Sequence, residues 1–415
     1  MEQPESALYP LKFLPLYKDK IWGGNKIKTL GFDYDPLPNC GELWALSSIK
    51  DNESVISNGF LAENTLNEAI EIYMGDLIGE QNYLRYGNQF PLLIKIIDAN
   101  EKLSVQVHPD DHLAQERGME NGKTEMWYIL ETEKNAELID GFKTEVTPEE
   151  YQQFLNIDKV EALLNIEKPQ AGDVFFIPAG RVHAIGKGIM LAEIQQTSDC
   201  TYRIYDYNRL DKNGKPRELH TAEALAAINF KPTTHGKTNY TYLENKTMEV
   251  AACPYFTTNL ISLTKGIHKD FAKLDSFVVY LCVEGIAAIK TMNHIVPFHA
   301  GECVLVPATA TSVELYSEGP AKLLEIYIDQ ELSKDLPKHH SNDNDWLAYY
   351  NPNGEEPDIE EDDDDTPEDW VSAFTELNRP DEDDEDDEEY YDDHCNCDDD
   401  HCDCDDPNCD CHHNH

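Results

Sequence analysis

The sequence predicts a mainly β protein: two β barrels in tandem with helical additions, followed by a disordered acidic tail. Three observations carry this. Short apolar runs of strand length, separated by Gly, Pro, Asn and Asp, fill residues from about 7 to 330. A stretch of the chain repeats itself 129 residues later. From roughly Lys334 onward the composition turns to Asp, Glu, Asn and Pro, with apolar islands only at 346–350 and 370–374. The expected divisions are a leading domain over 1–245, a second over 246–332 and the tail over 333–415.

Residues 92–97, 103–107, 126–130, 174–177, 277–283 and 303–306 are the clearest strands. Helices interrupt them. Residues 65–84 carry Leu66, Ala69, Ile70, Tyr73, Met74 and Leu77 at helical spacing. Thr147-Pro148-Glu149-Glu150 supplies an N-cap, a Pro at the first helical position and a capping-box Glu for a helix running towards Leu164. Residues 220–229 form a third, shorter candidate. Many short strands with few helices point to a sandwich or barrel with helical additions.

The repeat makes it two barrels. Gly172-Asp-Val-Phe-Phe-Ile-Pro178-Ala-Gly180-Arg-Val-His183 has a counterpart in Gly301-Glu-Cys-Val-Leu-Val-Pro307-Ala-Thr309-Ala-Thr-Ser312. Upstream, Met126-Trp-Tyr128-Ile-Leu130 aligns with Val278-Val-Tyr280-Leu-Cys282 at an offset of 152. The 23-residue difference is the size of the helical segment near 147–166, which the second copy is expected to lack.

Composition excludes several classes. Hydrophobic residues make up 40% of the 415, enough for a sizeable core. The formal charge of −48 is uneven: residues 355–415 hold 30 acids and one base, net −29, leaving −19 on the rest. A body that acidic does not suit nucleic acid, whose binding rests on Lys and Arg neutralising phosphates. No run of 18 apolar residues exists, so no transmembrane helix is expected. Residues 1–10 hold no basic residue and no apolar stretch, so no secretory signal is expected either. Cys40, Cys200, Cys253, Cys282 and Cys303 are scattered without framework spacing. A reduced, cytoplasmic protein fits both facts.

The chemistry concentrates in Leu103-Ser104-Val105-Gln106-Val107-His108-Pro109-Asp110-Asp111. Strand alternation puts Ser104, Gln106 and His108 on one face and Val105 and Val107 on the other. Inside a small barrel three lumen-facing polar groups need partners, and a metal ion is one candidate. Lys123 and Glu125 share a face in the same way, and His183 follows the Pro178-Ala-Gly180 turn. Alone, His108 reads as an ordinary hydrogen-bonded histidine and Glu125 as a solvated charge. Two imidazoles, a carboxylate and an amide oxygen together make a mixed N/O set that suits Zn²⁺, with Fe²⁺ and Mn²⁺ as competitors, and lack the thiolates of a structural zinc site.

The spacing G-x5-P-x-G-x2-H at 172–183 is that of the second cupin motif. With Trp22-Gly23-Gly24, Gly41-Glu42-Leu43-Trp44, Ser104 to Asp111, Gly122-Lys-Thr-Glu125-Met-Trp-Tyr128, Pro178 to Ile185 and Asp199-Cys-Thr-Tyr-Arg203-Ile-Tyr-Asp206, the chain resembles the type I mannose-6-phosphate isomerases over about residues 7–330, in their short bacterial form. The resemblance implies tandem cupin barrels, one Zn²⁺ in the catalytic domain held by Gln106, His108, Glu125 and His183, and a catalytic Arg203. It places Ser104, Lys123 and Arg203 on the substrate and Glu193 where a proton-transfer carboxylate is proposed. Gln106 stands where other cupins have a His, a departure these isomerases share.

In the second copy Ser312, Thr309 and Phe277 stand where His183, Gly180 and Glu125 would align, so that barrel is expected to be structural. The implied reaction moves a proton between C1 and C2 of a sugar phosphate through an enediol. A divalent ion can act there as a Lewis acid, and Arg203 can stabilise the developing charge. Glu193, Lys123 and a water on the metal are equal candidates for the base. Without the resemblance, Arg203 also reads as a structural partner of Asp206 or Asp199, and Arg181 as a surface residue. No Gly-rich phosphate loop is present, which argues against nucleotide chemistry.

Three seven-residue units close the chain, beginning His394-Cys-Asn-Cys397, His401-Cys-Asp-Cys404 and Asn408-Cys-Asp-Cys411. Cys-x-Cys pairs beside His and Asp suit extra Zn²⁺ or Cu⁺ ions; the competing reading is a solvated polyanion without a role. The leading expectation is thus a zinc-dependent aldose–ketose isomerase acting on a small sugar phosphate. The alternative is a non-catalytic metal-binding cupin that buffers or senses metal through its tail. A third option, a metal-dependent dioxygenase, is disfavoured by Gln106 and the Arg203 segment.

Overall fold

The computed structural model describes residues 8–234 and 236–334, all within one compact unit. The tail, with its Cys-x-Cys units, lies outside the described residues.

Two barrels follow one another, as the repeat predicts. The larger sheet of the leading barrel runs Val174–Ile177, Glu125–Thr132, Ile189–Gln196, Leu92–Ala99, Glu42–Leu46 and Leu16–Lys18. In the trailing barrel Cys303–Val306, Val278–Glu284, Ala321–Tyr327, Phe256–Leu263 and Thr247–Cys253 take the first five places in the same order. The smaller sheets match as well: Leu164–Glu167, Leu138–Phe142, His183–Ala184 and Val105–Val107 correspond to Ile295–His299, Ile286–Lys290, Ser312–Ser317 and Ile267–Asp270. The leading barrel adds Tyr202–Tyr205 to this sheet. Its helix Pro148–Asn156 and 3-10 turn Val160–Leu163 fall between two strands that only a short turn joins in the trailing barrel. That insertion accounts for the unequal offsets of the repeat.

Strand pairing corrects the alignment by one residue. Ile177 faces Glu125 and Val306 faces Val278, so Val278, not Phe277, holds the place of Glu125. Short apolar runs slide by one position without losing their match, whereas a one-residue slip in a sheet turns every side chain to the opposite face. The helix expected over 65–84 is divided into Leu66–Ile78 and Glu80–Tyr86. Gly79 between them adopts φ +92°, and a Cβ there would come within 2.6 Å of the Asp275 carbonyl oxygen. Thr147 caps its helix as its sequence suggests, accepting from the Glu150 N–H at 3.2 Å.

Period-2 alternation decides where each face goes. Ile94, Ile96, Met126, Tyr128, Ala192 and Ile194 point out of the leading barrel and share one core with Val279, Leu281, Leu305, Leu324 and Ile326 of the trailing one. Burying a side chain of this size contributes about 1.5–3 kcal/mol, so the two large sheets hold each other back to back. Val105, Val107, Val182 and Ile204 face outward from the smaller sheet and are covered by Tyr151, Val160 and Ala224 of the helical additions. The opposite faces of these strands line the leading lumen. Its apolar part holds Ile97, Ile129, Phe175, Ile177 and Leu191. The first described strand, Leu11–Leu14, joins the trailing sheet: Leu11 faces Leu305 on one edge and Phe13 faces Ile56 on the other. No helix among the described residues is long and apolar enough to cross a membrane.

Candidate metal and active site

With Val105 and Val107 turned outward, Gln106 must face the lumen, and the neighbouring strands continue its row. His183 faces Gln106 on one side and Arg203 faces it on the other. Directly opposed residues in antiparallel strands share a face and lie close together. Glu125 enters from the larger sheet, and His108 follows Val107 at its strand end. His108 and Glu125 are 1% and 0% exposed, and His183 is 0% exposed. One ligand atom from each of these three lies within 4.8 Å of the others.

The hydrogen bonds orient the donors. His108 Nδ1 lies 2.8 Å from the Cys200 carbonyl oxygen and His183 Nδ1 lies 2.9 Å from that of Arg181. Each ring therefore carries its proton on Nδ1 and turns a bare Nε2 to the cluster, as carbonyl-supported metal ligands do. Nε2 of His108 is 3.4 Å from Glu125 Oε2, and Nε2 of His183 is 3.3 Å from Glu125 Oε1. A bare nitrogen donates nothing, which leaves Glu125 Oε1 buried without a hydrogen bond. Such an orphaned oxygen is costly unless a cation meets it. The Gln106 amide lies against His183 Nε2 at 3.2 Å and can present either its N–H or its oxygen by rotation. Two imidazoles, a carboxylate and an amide without a thiolate fit a divalent ion of borderline hardness.

Lys123 donates to Glu125 Oε2 at 2.6 Å and to His108 Nε2 at 3.0 Å. Burial alone would raise the Glu125 carboxyl, but the Lys123 ammonium holds it well below the usual carboxylate range. Burial, then Lys123, pushes the His108 imidazole down to about 3, and burial lowers His183 as well. All three groups are therefore in the deprotonated form that metal ligation needs at neutral pH.

A second polar row crosses the floor of the larger sheet, where Trp44, Lys95, Glu193 and Trp127 are successive cross-strand partners. Lys95 Nζ donates to Glu193 Oε1 at 3.1 Å and to Gln195 Oε1 at 2.7 Å, and Trp127 Nε1 donates to Glu193 Oε2 at 3.0 Å. Burial and the nearby Glu125 raise the Glu193 carboxyl, against the pull of Lys95 and Lys123. Two carboxylates of one cavity are thus driven in opposite directions.

All eight residues singled out in the sequence line this lumen or its rim. Ser104 is 3% exposed, with its hydroxyl 3.4 Å from Gln106 Oε1. Arg203 forms no ion pair with Asp206 or Asp199 among the described residues. Its Nη1 donates to the Glu218 carbonyl at 2.8 Å, while Asp206 is taken by Arg217 (2.7 and 2.6 Å) and Arg209. Arg181 is not a surface residue: it is 13% exposed and reaches the buried Asp140 at 3.1 Å. Its Nη1 also donates to the Phe176 carbonyl at 2.9 Å, so both sheets of the barrel hold the guanidinium. The sequence reading missed Lys95, Trp127 and the Glu42–Trp44 pair, whose Trp44 Nε1 donates to Glu42 Oε2 at 2.7 Å. A lone lysine within Leu-Leu-Ile-Lys-Ile-Ile was the available signal for Lys95.

A tandem cupin with two buried imidazoles and a carboxylate clustered in its lumen, and a guanidinium on the neighbouring strand, is a cupin with a candidate metal site. Residues 11–146 match the family description "Phosphomannose isomerase type I, catalytic domain" and residues 245–328 match "Mannose-6-phosphate isomerase, cupin domain". The chain is 37% identical over 302 residues to mannose-6-phosphate isomerase ManA of Bacillus subtilis, covering 72% of this chain and 93% of that protein. It is 37% identical over 274 residues to the mannose-6-phosphate isomerase of Streptococcus mutans, covering 65% and 82% respectively. The crystal structure of the mannose 6-phosphate isomerase from Bacillus subtilis superposes with a TM-score of 0.69 at 32% identity, covering 77% of this chain and 99% of that one. The chain belongs to the type I phosphomannose isomerase family.

Proposed function

We propose that the protein is a zinc-dependent aldose–ketose isomerase that interconverts mannose 6-phosphate and fructose 6-phosphate through an enediol. The observation that carries this is the buried, orphaned Glu125 Oε1 beside His183 Nε2, in a cluster whose two imidazole nitrogens can only accept. Gln106, His108, Glu125 and His183 would hold one Zn²⁺. When bound, the ion supplies Lewis-acid polarisation of the substrate oxygens.

The remaining work falls to the chain. Glu193 is the base we favour: it takes the proton from C2 of the open-chain aldose, the O2 hydroxyl proton passes to O1 in the enediol, and Glu193 returns its proton to C1. Its raised pKa suits a group that must both accept and release a proton. Lys123 is tied to Glu125 and His108, which leaves it less free to shuttle a proton. Arg203, held by the Glu218 carbonyl, stabilises negative charge developing on the substrate oxygens. Ser104, Lys123 and Arg203 supply donors for the substrate's hydroxyls and phosphate. The buried lumen limits water, so a proton removed from carbon is returned rather than lost. A coupled assay on purified protein, stripped with chelator and reloaded with Zn²⁺, tests the reading; mannose 6-phosphate left unconverted by the reloaded protein would overturn it.

The tail is proposed to be separate from catalysis. Its six thiolates and adjacent histidines are donors for additional Zn²⁺ or Cu⁺. A chain ending near Asp335 should keep full turnover at saturating zinc while binding less metal, and lost turnover would refute the separation. The five described cysteines are free, four of them buried, in keeping with a reducing, cytoplasmic setting.

A further inference from the structure

We propose that Trp127 is a positioning residue for the isomerisation, its indole N–H fixing the carboxylate of Glu193 for proton transfer; this rests on the function proposed above. Trp127 is fully buried in the lumen and is the cross-strand partner of Glu193. Its one donor goes to Glu193 Oε2 at 3.0 Å, while Lys95 occupies Oε1 at 3.1 Å. A buried indole needs an acceptor for its N–H, and here the acceptor is the group that would move the proton. A glutamate has three side-chain torsions, and a donor on each oxygen removes that freedom, which is how a base is kept near its target carbon. The other edge of the indole meets His183, ring centroids 5.5 Å apart and planes at 73°. The residue thus sits between the base and the metal-site histidine.

The trailing barrel repeats the device without the metal ligands. Tyr280 and Glu325 stand in the positions of Trp127 and Glu193, as the pairing registers show. There the Tyr280 hydroxyl donates to Glu325 Oε2 at 2.6 Å. In each barrel an aromatic donor thus holds a buried carboxylate on the neighbouring strand. Among the described residues, only the leading one has a candidate metal-ligand cluster in its barrel.

Trp127→Phe keeps an aromatic ring in the lumen and removes the N–H. We expect kcat to fall about tenfold with KM changed less than about twofold, because orientation and not binding is lost. Zinc content per chain should be unchanged. Loss of the donor disfavours the charged carboxylate, so the acidic limb of the kcat profile should move to higher pH. In a Glu193→Gln background, adding Trp127→Phe should cost less than about twofold more, since the two act as one unit. If Trp127→Phe does not fold, replacing the indole by its benzothiophene isostere removes the N–H at constant shape, with the same expectations. Wild-type kcat and pH profile in these variants, full additivity with Glu193→Gln, or a loss of zinc that tracks the loss of rate would each overturn the inference while leaving the isomerase reading intact. A zinc-loaded wild type without turnover would overturn both.

Discussion

Acid should destabilise the metal-stripped protein through His108 by a calculable amount. The imidazole is buried and neutral, its folded value pushed down to about 3 from the ordinary 6.5. Below 6.5 the unfolded chain takes up a proton that the folded chain refuses, so stability is fully present above that pH and is lost as pH falls towards 3. The loss is about 1.4 kcal/mol per pH unit, or roughly 2 kcal/mol between pH 6.5 and pH 5. His183, lowered by the same burial, adds to it in the same direction. Urea denaturation of stripped protein at pH 7.5 and pH 5, followed by tryptophan fluorescence, measures the drop. His108→Gln cannot titrate, so its drop should be smaller by about 2 kcal/mol. Equal drops in the two proteins would mean that His108 is solvated or already charged in the fold, and the ligand orientation inferred from its Nδ1 contact would fall with it.

Three further outcomes are expected. Arg203→Ala should lower kcat/KM by about 10²–10³-fold while metal analysis still finds one zinc in the catalytic barrel, because the guanidinium acts on charge and not on the ligands; metal lost in parallel would assign Arg203 to the cluster. Gly186→Ala would place a Cβ 1.7 Å from the Glu137 carbonyl oxygen, a backbone atom that cannot step aside, and should cost at least about 1–3 kcal/mol in thermal or urea unfolding, as overpacking does. Native protein treated with a thiol reagent should show no fast reaction at Cys40, Cys253, Cys282 and Cys303, which are buried, with thiols raised by that burial. A truncated chain ending near Asp335 should show at most Cys200 reacting, and fast labelling of several body thiols would contradict the packing described above.

Much of the candidate cluster was legible because strand alternation is strict. Once Val105 and Val107 are assigned outward, Gln106 has one place to go, and the Gly-Pro-Gly-His spacing fixes where His183 re-enters. What stayed hidden depends on pairing between distant strands. Nothing local tells that Lys95 meets Glu193, that Trp127 has a carboxylate within reach, or that Arg181 finds Asp140; each needs the register of a neighbour far along the chain. The one-residue misplacement of Glu125 against Phe277 has the same origin, since an apolar run looks alike from either register. The break at Gly79 was hidden too, because the contact that demands it is the Asp275 backbone, almost two hundred residues away.

The strand at Leu11–Leu14 has a bearing on how the chain matures at the ribosome. Its neighbour on one side is Val55–Ile56, but its other edge must wait for Cys303–Val306. At about 5–20 residues per second, roughly 15–60 s of synthesis separate the first strand from that partner. Until then an unpaired edge is open to other chains, so the interval before that partner emerges is the vulnerable one, and a strand made early is among the last to be sealed.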